Sequence, residues 1–243
     1  MNQLMKRVLS VLLVVCLLCS ALPSAFAAEG GGFTDVSKDH WAYDAITEAV
    51  AAGYFKGVSD TAFDPEGTLT RAMLVTVLAR AAGAETDDNA STGFSDVAVG
   101  TWYTGAVAWA AENGVVTGDG DGTFAPDRAA TRQETATIFL RLLKLLNKTL
   151  PEIEEVKTFT DAADIAAWAE EAVETMQTAG VLTGYPDGSF LPQNPLTRAE
   201  AATLLCRFLK AAEENFPGET NLSVVTADTK FYSYAIRYNA HPK

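Results

Sequence analysis

One segment of this chain occurs three times, and this internal repeat restricts the possible folds more than any other feature. Each copy opens with a Phe-x-Asp triplet, at residues 33–35, 94–96 and 159–161. A Thr-Arg pair follows at 70–71, 131–132 and 197–198, so that Phe and Arg are 38, 38 and 39 residues apart. A period of roughly 60 residues indicates a copied supersecondary unit. One such unit would bury too little apolar surface to be stable alone, so we expect the three copies to share a core.

Two helices are predicted in each copy. The first helix has apolar residues at helical spacing, such as Ala45, Ile46 and Ala49 in copy one, and this spacing is typical of an amphipathic helix. A glycine able to adopt positive φ is expected to end each first helix; these residues are Gly53, Gly114 and Gly180. The second helix is predicted to begin at the Thr-Arg pair, with threonine as its N-cap.

The capping pattern differs between the copies. Thr131 and Thr197 are followed three residues later by glutamate, which predicts a capping box at both helix starts. Copy one has Met73 at that position and therefore keeps only the threonine cap.

A loop with a repeated composition joins the two helices, at 57–65, 118–126 and 184–192. Asp-Gly pairs in the second and third loops predict tight turns. The first loop lacks the turn glycine, so we expect a different shape there. Asp119 and Asp121 could suggest calcium, but an EF-hand loop would need Gly and Glu where Phe124 and Ala130 stand. The turn interpretation is therefore favoured, and no metal or cofactor is predicted.

An arginine at the first position of each second helix is electrostatically unexpected. These residues are Arg71, Arg132 and Arg198. The positive end of a helix dipole disfavours a cation there by about 0.3–1 kcal/mol, so a negative group is expected nearby. One candidate is an anionic ligand, held by the guanidinium and by free helix amides. The other is a salt bridge to a repeated acid, Asp35, Asp96 or Asp161, and both can occur together.

The N-terminus predicts export. Lys6 and Arg7 precede an apolar run, and Ala-Phe-Ala at 25–27 fits a cleavage site, so residues 1–27 are interpreted as a signal peptide. The apolar run is shorter than the roughly 20 residues that a membrane span needs, and no transmembrane segment is predicted. Cys206 is the single cysteine outside this segment, so no internal disulfide is expected.

Charge excludes two classes of partner. Residues 1–27 contain two bases and no acid, which leaves 16 Lys and Arg against 31 Asp and Glu and changes the net charge from −13 to −15. Long-range attraction to nucleic acid or to an anionic membrane is therefore not expected. A bound anion would need a local pocket.

Together these motifs resemble the S-layer homology (SLH) domain of bacterial cell-surface proteins. The resemblance rests on Phe-x-Asp, the Trp-Ala helix start, Gly-Tyr-Pro-Asp-Gly-Ser-Phe-x-Pro and Thr-Arg-Ala-Glu, and it covers about residues 33 to 212. It implies a mainly α fold, in which three helix-loop-helix repeats form a pseudo-threefold spindle around a shared helical core with short extended pieces. The predicted repeats are 33–83, 94–146 and 159–212, joined by solvated linkers at 84–93 and 147–158 and followed by a tail at 213–243.

The resemblance also implies a function. Grooves between SLH repeats bind a secondary cell-wall polysaccharide without covalent linkage, often through a terminal pyruvylated sugar whose carboxylate meets the motif arginine. This implies a secreted, non-catalytic anchor at the cell wall or S-layer. Carried over by position, Arg71, Arg132 and Arg198 would contact the anion, while Asp35, Asp96 and Asp161 would hold the sugar or the arginine. Trp41, Trp102 and Trp168 would flank the sugar, and Gly57, Gly118 and Gly184 would let backbone amides approach it. The imperfect copies predict that the three grooves are not equivalent.

Two other functions stay open at this stage, a wall-associated enzyme and a linker between peptidoglycan and an outer membrane. Against an enzyme, only about 30 residues follow the last repeat, which we consider too few for a catalytic domain. The chain has two histidines, and no Ser-His-acid arrangement stands out. In the tail, the aromatic run at 231–238 predicts either a terminal strand or a segment that binds a protein partner.

Overall fold

The computed structural model describes residues 32–214, so the predicted signal peptide and the tail from residue 215 onward lie outside the described residues. In the described part the chain forms six α-helices and no strand. The helices are α1 (Tyr43–Ala51), α2 (Arg71–Ala81), α3 (Thr104–Glu112), α4 (Arg132–Leu145), α5 (Glu170–Thr178) and α6 (Arg198–Glu214), with a short 3₁₀ helix at Ala162–Asp164. The predicted mainly α class is confirmed. None of the described helices has the length and apolar character that a membrane span requires.

The ends of the helices follow the predicted signals. Thr70 Oγ1 accepts a hydrogen bond from the Met73 amide at 3.2 Å, which caps α2. Thr131 forms a complete capping box on α4. On α6, Thr197 Oγ1 accepts from the Glu200 amide at 3.2 Å, and Glu200 Oε2 accepts from the Thr197 amide at 2.8 Å. The glycine after each first helix has φ between 66° and 77°, as a helix-terminating position requires.

The helices pack in a cyclic order. Helix α2 packs on α3, α4 packs on α5, and α6 packs on α1. The second helix of each copy therefore lies against the first helix of the next copy, and the third copy returns to the first. The buried side chains form one cluster that includes residues of all three copies. In it, Phe139 and Phe208 meet edge to face with ring centroids 4.8 Å apart. The expectation of a shared core is confirmed.

A closed ring of backbone hydrogen bonds joins the three copies just before the second helices. The Leu69 amide donates to Leu196 O at 2.9 Å, the Leu196 amide to Ala130 O at 3.2 Å, and the Ala130 amide to Leu69 O at 2.9 Å. Each participant lies two residues before a motif arginine. The segments that form these hydrogen bonds are the short extended pieces of the fold. The ring of bonds gives the described part a pseudo-threefold connectivity.

The two linkers are not simply solvated. The Asp88 carboxylate accepts a hydrogen bond from the Gly105 amide at 3.2 Å, which fastens the first linker to α3. In the second linker, the buried Gln177 side chain of α5 exchanges two hydrogen bonds with the Lys157 backbone, at 3.1 and 2.9 Å. Most linker residues are nevertheless exposed, as expected of solvated connectors, and these hydrogen bonds fasten each linker to a first helix at one point.

Candidate functional site: the grooves between repeats

The three motif arginines reach from one copy into the loop of the next. In each case the guanidinium Nε donates to the carbonyl oxygen of the loop phenylalanine: Arg71 to Phe124 at 2.8 Å, Arg132 to Phe190 at 2.7 Å and Arg198 to Phe63 at 2.8 Å. We call these sites groove 1–2, groove 2–3 and groove 3–1, after the copies that supply the arginine and the loop. Each guanidinium carbon also lies 4.6–4.9 Å from the centre of the same phenylalanine ring, within the range of a cation–π contact.

The arginines are strongly buried, with exposed fractions of 4–6%. In groove 3–1, burial lowers the pKa of Arg198, and the attraction of Asp64 and Asp35 opposes that change. An arginine stays charged under these conditions, because its ordinary pKa lies far above neutrality. The interior of each groove therefore holds a positive charge that links two copies.

The amides at the starts of the second helices are occupied. The Arg71 amide donates to Arg128 O at 2.9 Å, and the Ala72 amide donates to Pro126 O at 3.0 Å. The first two amides of α4 and of α6 likewise donate to carbonyl oxygens in or just after the loop of the next copy. The expectation that free helix amides would hold an anion is therefore wrong, since these donors already bind the neighbouring loop.

The repeated acids hold the loops of their own copies. Each carboxylate accepts two consecutive loop amides at 2.7–2.9 Å: Asp35 from Phe63 and Asp64, Asp96 from Phe124 and Ala125, and Asp161 from Phe190 and Leu191. The second residue of each pair has φ between 55° and 59°, a backbone conformation that is uncommon outside glycine. The carboxylate thus stabilises a turn that the sequence alone would disfavour.

Each acid and each arginine are connected through one loop phenylalanine. In groove 3–1, the Phe63 amide donates to Asp35 while the Phe63 carbonyl accepts from Arg198. Desolvation raises the pKa of Asp35, but the amides of Phe63 and Asp64 outweigh it, and the pKa lies below its ordinary value. Among the described residues, none of the three repeated acids forms an ion pair with a motif arginine within 4.0 Å. The proposed direct salt bridge is therefore replaced by this indirect connection.

Groove 1–2 contains the direct ion pairs of the site. Arg71 lies 3.2 Å from Glu134 Oε1 and 3.7 Å from Asp119 Oδ1, and Arg128 lies 2.9 Å from both carboxylates. In the other two grooves a second backbone carbonyl takes this place: Arg132 donates to Thr183 O at 2.8 Å and Arg198 to Lys56 O at 2.8 Å. The predicted inequality of the grooves therefore has a structural counterpart in their internal contacts.

The glycine repeated at the start of each loop has a packing explanation. A Cβ atom on Gly184 would lie 2.6 Å from Cε1 of Phe159 and 2.8 Å from Ser189 O. Gly57 and Gly118 approach Phe33 and Phe94 in the same way. The opening phenylalanine of each copy therefore lies directly under the loop glycine, and this contact requires glycine whether or not a ligand is present.

The three tryptophans lie just before the first helices and differ in exposure. Trp102 and Trp168 are each 57% exposed, whereas Trp41 is half-buried beside the His40 ring. Trp102 and Trp168 lie outside the helices, because α3 and α5 begin two residues after them. Their rings present a large surface to solvent.

The aspartate in the loop turn acts as a structural group. Asp121 Oδ1 accepts hydrogen bonds from the Thr123 amide and hydroxyl, at 2.9 and 2.6 Å, and Asp187 does the same with Ser189. In copy one the Ser59 hydroxyl has this role. The first loop nevertheless closes with the same backbone hydrogen bond as the others, so its difference lies in how the turn is stabilised.

Residues 32–214 contain no group of three or more acidic, His or Cys side chains that could hold a metal.

The sequence reasoning missed a second repeated arginine. Arg80, Arg141 and Arg207 each lie nine residues after a motif arginine, and an alignment of the three copies would have revealed them. Arg207 lines a small cleft of about 20 Å³ in groove 2–3 together with Arg132, Tyr185 and Glu200. The Tyr185 ring centre lies 4.7 Å from the Arg132 guanidinium carbon.

Comparison with known proteins identifies the family of this chain. The family model described as "S-layer homology domain" matches residues 32–72, 93–136 and 158–202. A second model, "Domain of unknown function (DUF8473)", matches residues 200–242, most of which lie outside the described part of the chain.

Several curated proteins share this region. A cellulosome-anchoring protein of Acetivibrio thermocellus is 34% identical over 68% of this chain and 37% of its own length. The S-layer protein sap of Bacillus anthracis is 30% identical over 76% of this chain and 22% of its own length. An amylopullulanase of Thermoanaerobacterium thermosulfurigenes is 33% identical over 73% of this chain but only 9% of its own length. The chain thus spans a minor part of each of these relatives. With three tandem matches of the family model, it belongs to the S-layer homology domain family.

Proposed function

We propose that this protein is a non-catalytic anchor that binds a secondary cell-wall polysaccharide in the grooves between its SLH repeats. Membership of the SLH family places the chain at the cell surface or cell wall, and it supports an anchoring function. The finer proposal concerns the ligand, which we take to be a terminal anionic sugar, in particular a pyruvylated one.

One observation carries this proposal: a buried arginine lies at every contact between repeats, although the chain as a whole is acidic. The net charge is −13, yet each groove contains a buried arginine. In groove 2–3, Arg132 and Arg207 line a small cleft of about 20 Å³ together with Glu200. A carboxylate on a sugar could accept charge-assisted hydrogen bonds there, whereas the acidic surface would repel a long polyanion.

The other candidate residues have supporting roles in this proposal. Asp35, Asp96 and Asp161 fix the loops against which the ligand would rest, and Arg71, Arg132 and Arg198 supply the charge. Trp41, Trp102 and Trp168 would flank the sugar rings, and the exposed faces of Trp102 and Trp168 support that role. Gly57, Gly118 and Gly184 would bring the loop backbone close to the ligand.

The enzymes among the relatives do not favour catalysis by this chain. The match to the amylopullulanase covers 9% of that protein, and it falls in the region that corresponds to the SLH repeats. The same region occurs in the cellulosome-anchoring protein. We infer that the repeats act as an attachment module, and that the tail at 213–243 is available for a protein partner.

Co-sedimentation with wall sacculi tests the proposal. The exported protein should sediment with sacculi that carry their secondary polymer and remain in solution with sacculi from which that polymer has been chemically removed. A protein that sediments equally with both preparations would bind peptidoglycan instead. Release of soluble sugar from the sacculi during the assay would favour the enzyme alternative.

A further inference from the structure

The three grooves differ at two equivalent positions, both of which contact the motif arginine in groove 1–2. The residue after the first loop glycine is Val58, Asp119 or Tyr185 in copies one, two and three. The third residue of the second helix is Met73, Glu134 or Glu200. Groove 1–2 is the one in which both positions carry a carboxylate, and this difference sets it apart from the other two.

These carboxylates already bind the arginine of groove 1–2. Glu134 Oε1 lies 3.2 Å from Arg71 Nη1 and 2.9 Å from Arg128 Nη2, and Asp119 Oδ1 lies 3.7 and 2.9 Å from the two arginines. Two acids and two bases thus form a neutral cluster. Desolvation raises the pKa of Glu134, but hydrogen bonds from Arg128 and the Thr131 amide dominate and lower it, so this carboxylate is ionised at neutral pH.

In groove 2–3, the equivalent acid is directed elsewhere. Glu200 accepts from the Thr197 amide at 2.8 Å and pairs with the Tyr185 hydroxyl at 3.3 Å. Within residues 32–214, no carboxylate oxygen forms an ion pair with Arg132 within 4.0 Å, and its hydrogen bonds go to backbone carbonyls. Arg207 and Glu200 both line the small adjacent cleft of about 20 Å³, so the Arg132 guanidinium lies beside a space of about one water without a direct ion pair.

Groove 3–1 lacks the acids at both positions. Val58 and Met73 stand where groove 1–2 has Asp119 and Glu134. Arg198 donates to Phe63 O and Lys56 O, both at 2.8 Å. In the described part of the chain, it has no acidic partner within 4.0 Å. The attraction of Asp35 and Asp64 acts on it at longer range.

We propose that Asp119 and Glu134 act as built-in anions that close groove 1–2, so that an anionic wall sugar binds in grooves 2–3 and 3–1 only. This inference rests on the proposed function. A carboxylate ligand entering groove 1–2 would have to displace two resident carboxylates from Arg71, and it would meet their negative charge. In the other two grooves it would instead add to a guanidinium that is bonded only to neutral oxygens.

The guanidinium Nε–H signals of the three arginines give a separate readout for each groove in ¹⁵N NMR. Because each Nε–H is buried and bonded to a carbonyl, its exchange with water should be slow enough for detection. We expect titration with a pyruvylated monosaccharide to shift the signals of Arg132 and Arg198. The Arg71 signal should need at least a tenfold higher ligand concentration. Equal midpoints for all three signals in the wild-type protein would overturn the inference without any variant.

A double variant tests the cause. Asp119→Asn with Glu134→Gln removes both charges at nearly constant shape, and glutamine can keep the capping box. The Arg71 signal should then shift with a midpoint at least fivefold lower than in the wild type. Glu200→Gln is the matched control at the same helix position, and it should leave the Arg71 midpoint unchanged. If the double variant keeps the wild-type circular dichroism spectrum and the Arg71 signal still does not move, the resident carboxylates do not close the groove.

The outcomes separate this inference from the proposed function. If the protein sediments with polymer-bearing sacculi and all three arginines respond alike, the inference alone fails. If the protein does not sediment with them and no arginine responds to the sugar, the proposed function fails.

Discussion

Replacing Arg198 by methionine should destabilise the fold strongly, because this residue closes the ring between the third copy and the first. Its guanidinium donates to Phe63 O and Lys56 O, both at 2.8 Å, across more than 130 residues of sequence. Methionine preserves much of the apolar stem of the side chain but removes both donors. The change therefore isolates the polar link between copies.

The expected magnitude follows from these two bonds. Hydrogen bonds from a charged donor contribute about 1.5–3 kcal/mol each, so their loss would cost about 3–6 kcal/mol. Burial of the guanidinium in the folded protein is itself unfavourable, and its removal offsets part of that loss. We therefore expect the free energy of unfolding to fall by about 3 kcal/mol.

Urea denaturation followed by circular dichroism measures this change. Arg80→Met is the matched control, because Arg80 is exposed and donates a single hydrogen bond, to Tyr54 O at 3.2 Å. Its effect should stay within about 0.5 kcal/mol, because this hydrogen bond is exposed and water replaces it when it is lost. A loss for Arg198→Met no larger than that of Arg80→Met would refute the view that the motif arginines hold the copies together.

Three further results follow from other contacts in the fold. Gly184→Ala should lower the free energy of unfolding by about 1–3 kcal/mol, since its Cβ would overlap the Phe159 ring; unchanged urea stability would contradict the packing described for the loop. Burial raises the pKa of Cys206 to about 12, so at pH 8.5 iodoacetamide should modify the folded protein at least tenfold more slowly than the denatured protein, and similar rates would be evidence against burial. The pKa values of Asp35 and Glu134 are lowered in the fold, so the unfolded state binds more protons in acid, and the stability that these groups contribute should be lost as the pH falls below about 4. Denaturation midpoints measured between pH 6 and pH 3 should decrease, and Glu134→Gln should reduce that decrease; a flat profile would contradict it.

The helix boundaries could be predicted from sequence because their signals are local. Thr131 and Glu134 stand three residues apart on one helix, and a capping box needs nothing else. Gly114 ends α3 through its own backbone conformation, with φ 68°. The copied motifs also indicated a shared core, because a single unit is too small to be stable alone.

The contacts of the arginines could not be predicted in the same way. The sequence shows that Arg71 occupies an unfavourable helix position, but its partners come from the next copy, about 50–60 residues further along the chain. The oxygen that the Arg71 guanidinium contacts depends on how the three copies pack against one another. The repeated acids could likewise be recognised only by their spacing. Their partners are distant in sequence, as when Asp96 accepts hydrogen bonds from the amides of Phe124 and Ala125.

The crystal structure of the exported protein with a terminal fragment of the wall polymer would test the central claim most directly. The account predicts that the acidic group of the fragment lies within hydrogen-bonding distance of the Arg132 or Arg198 guanidinium, between two repeats. A fragment bound on the protein surface away from all three grooves, with both guanidinium groups still contacting only backbone carbonyls, would contradict it.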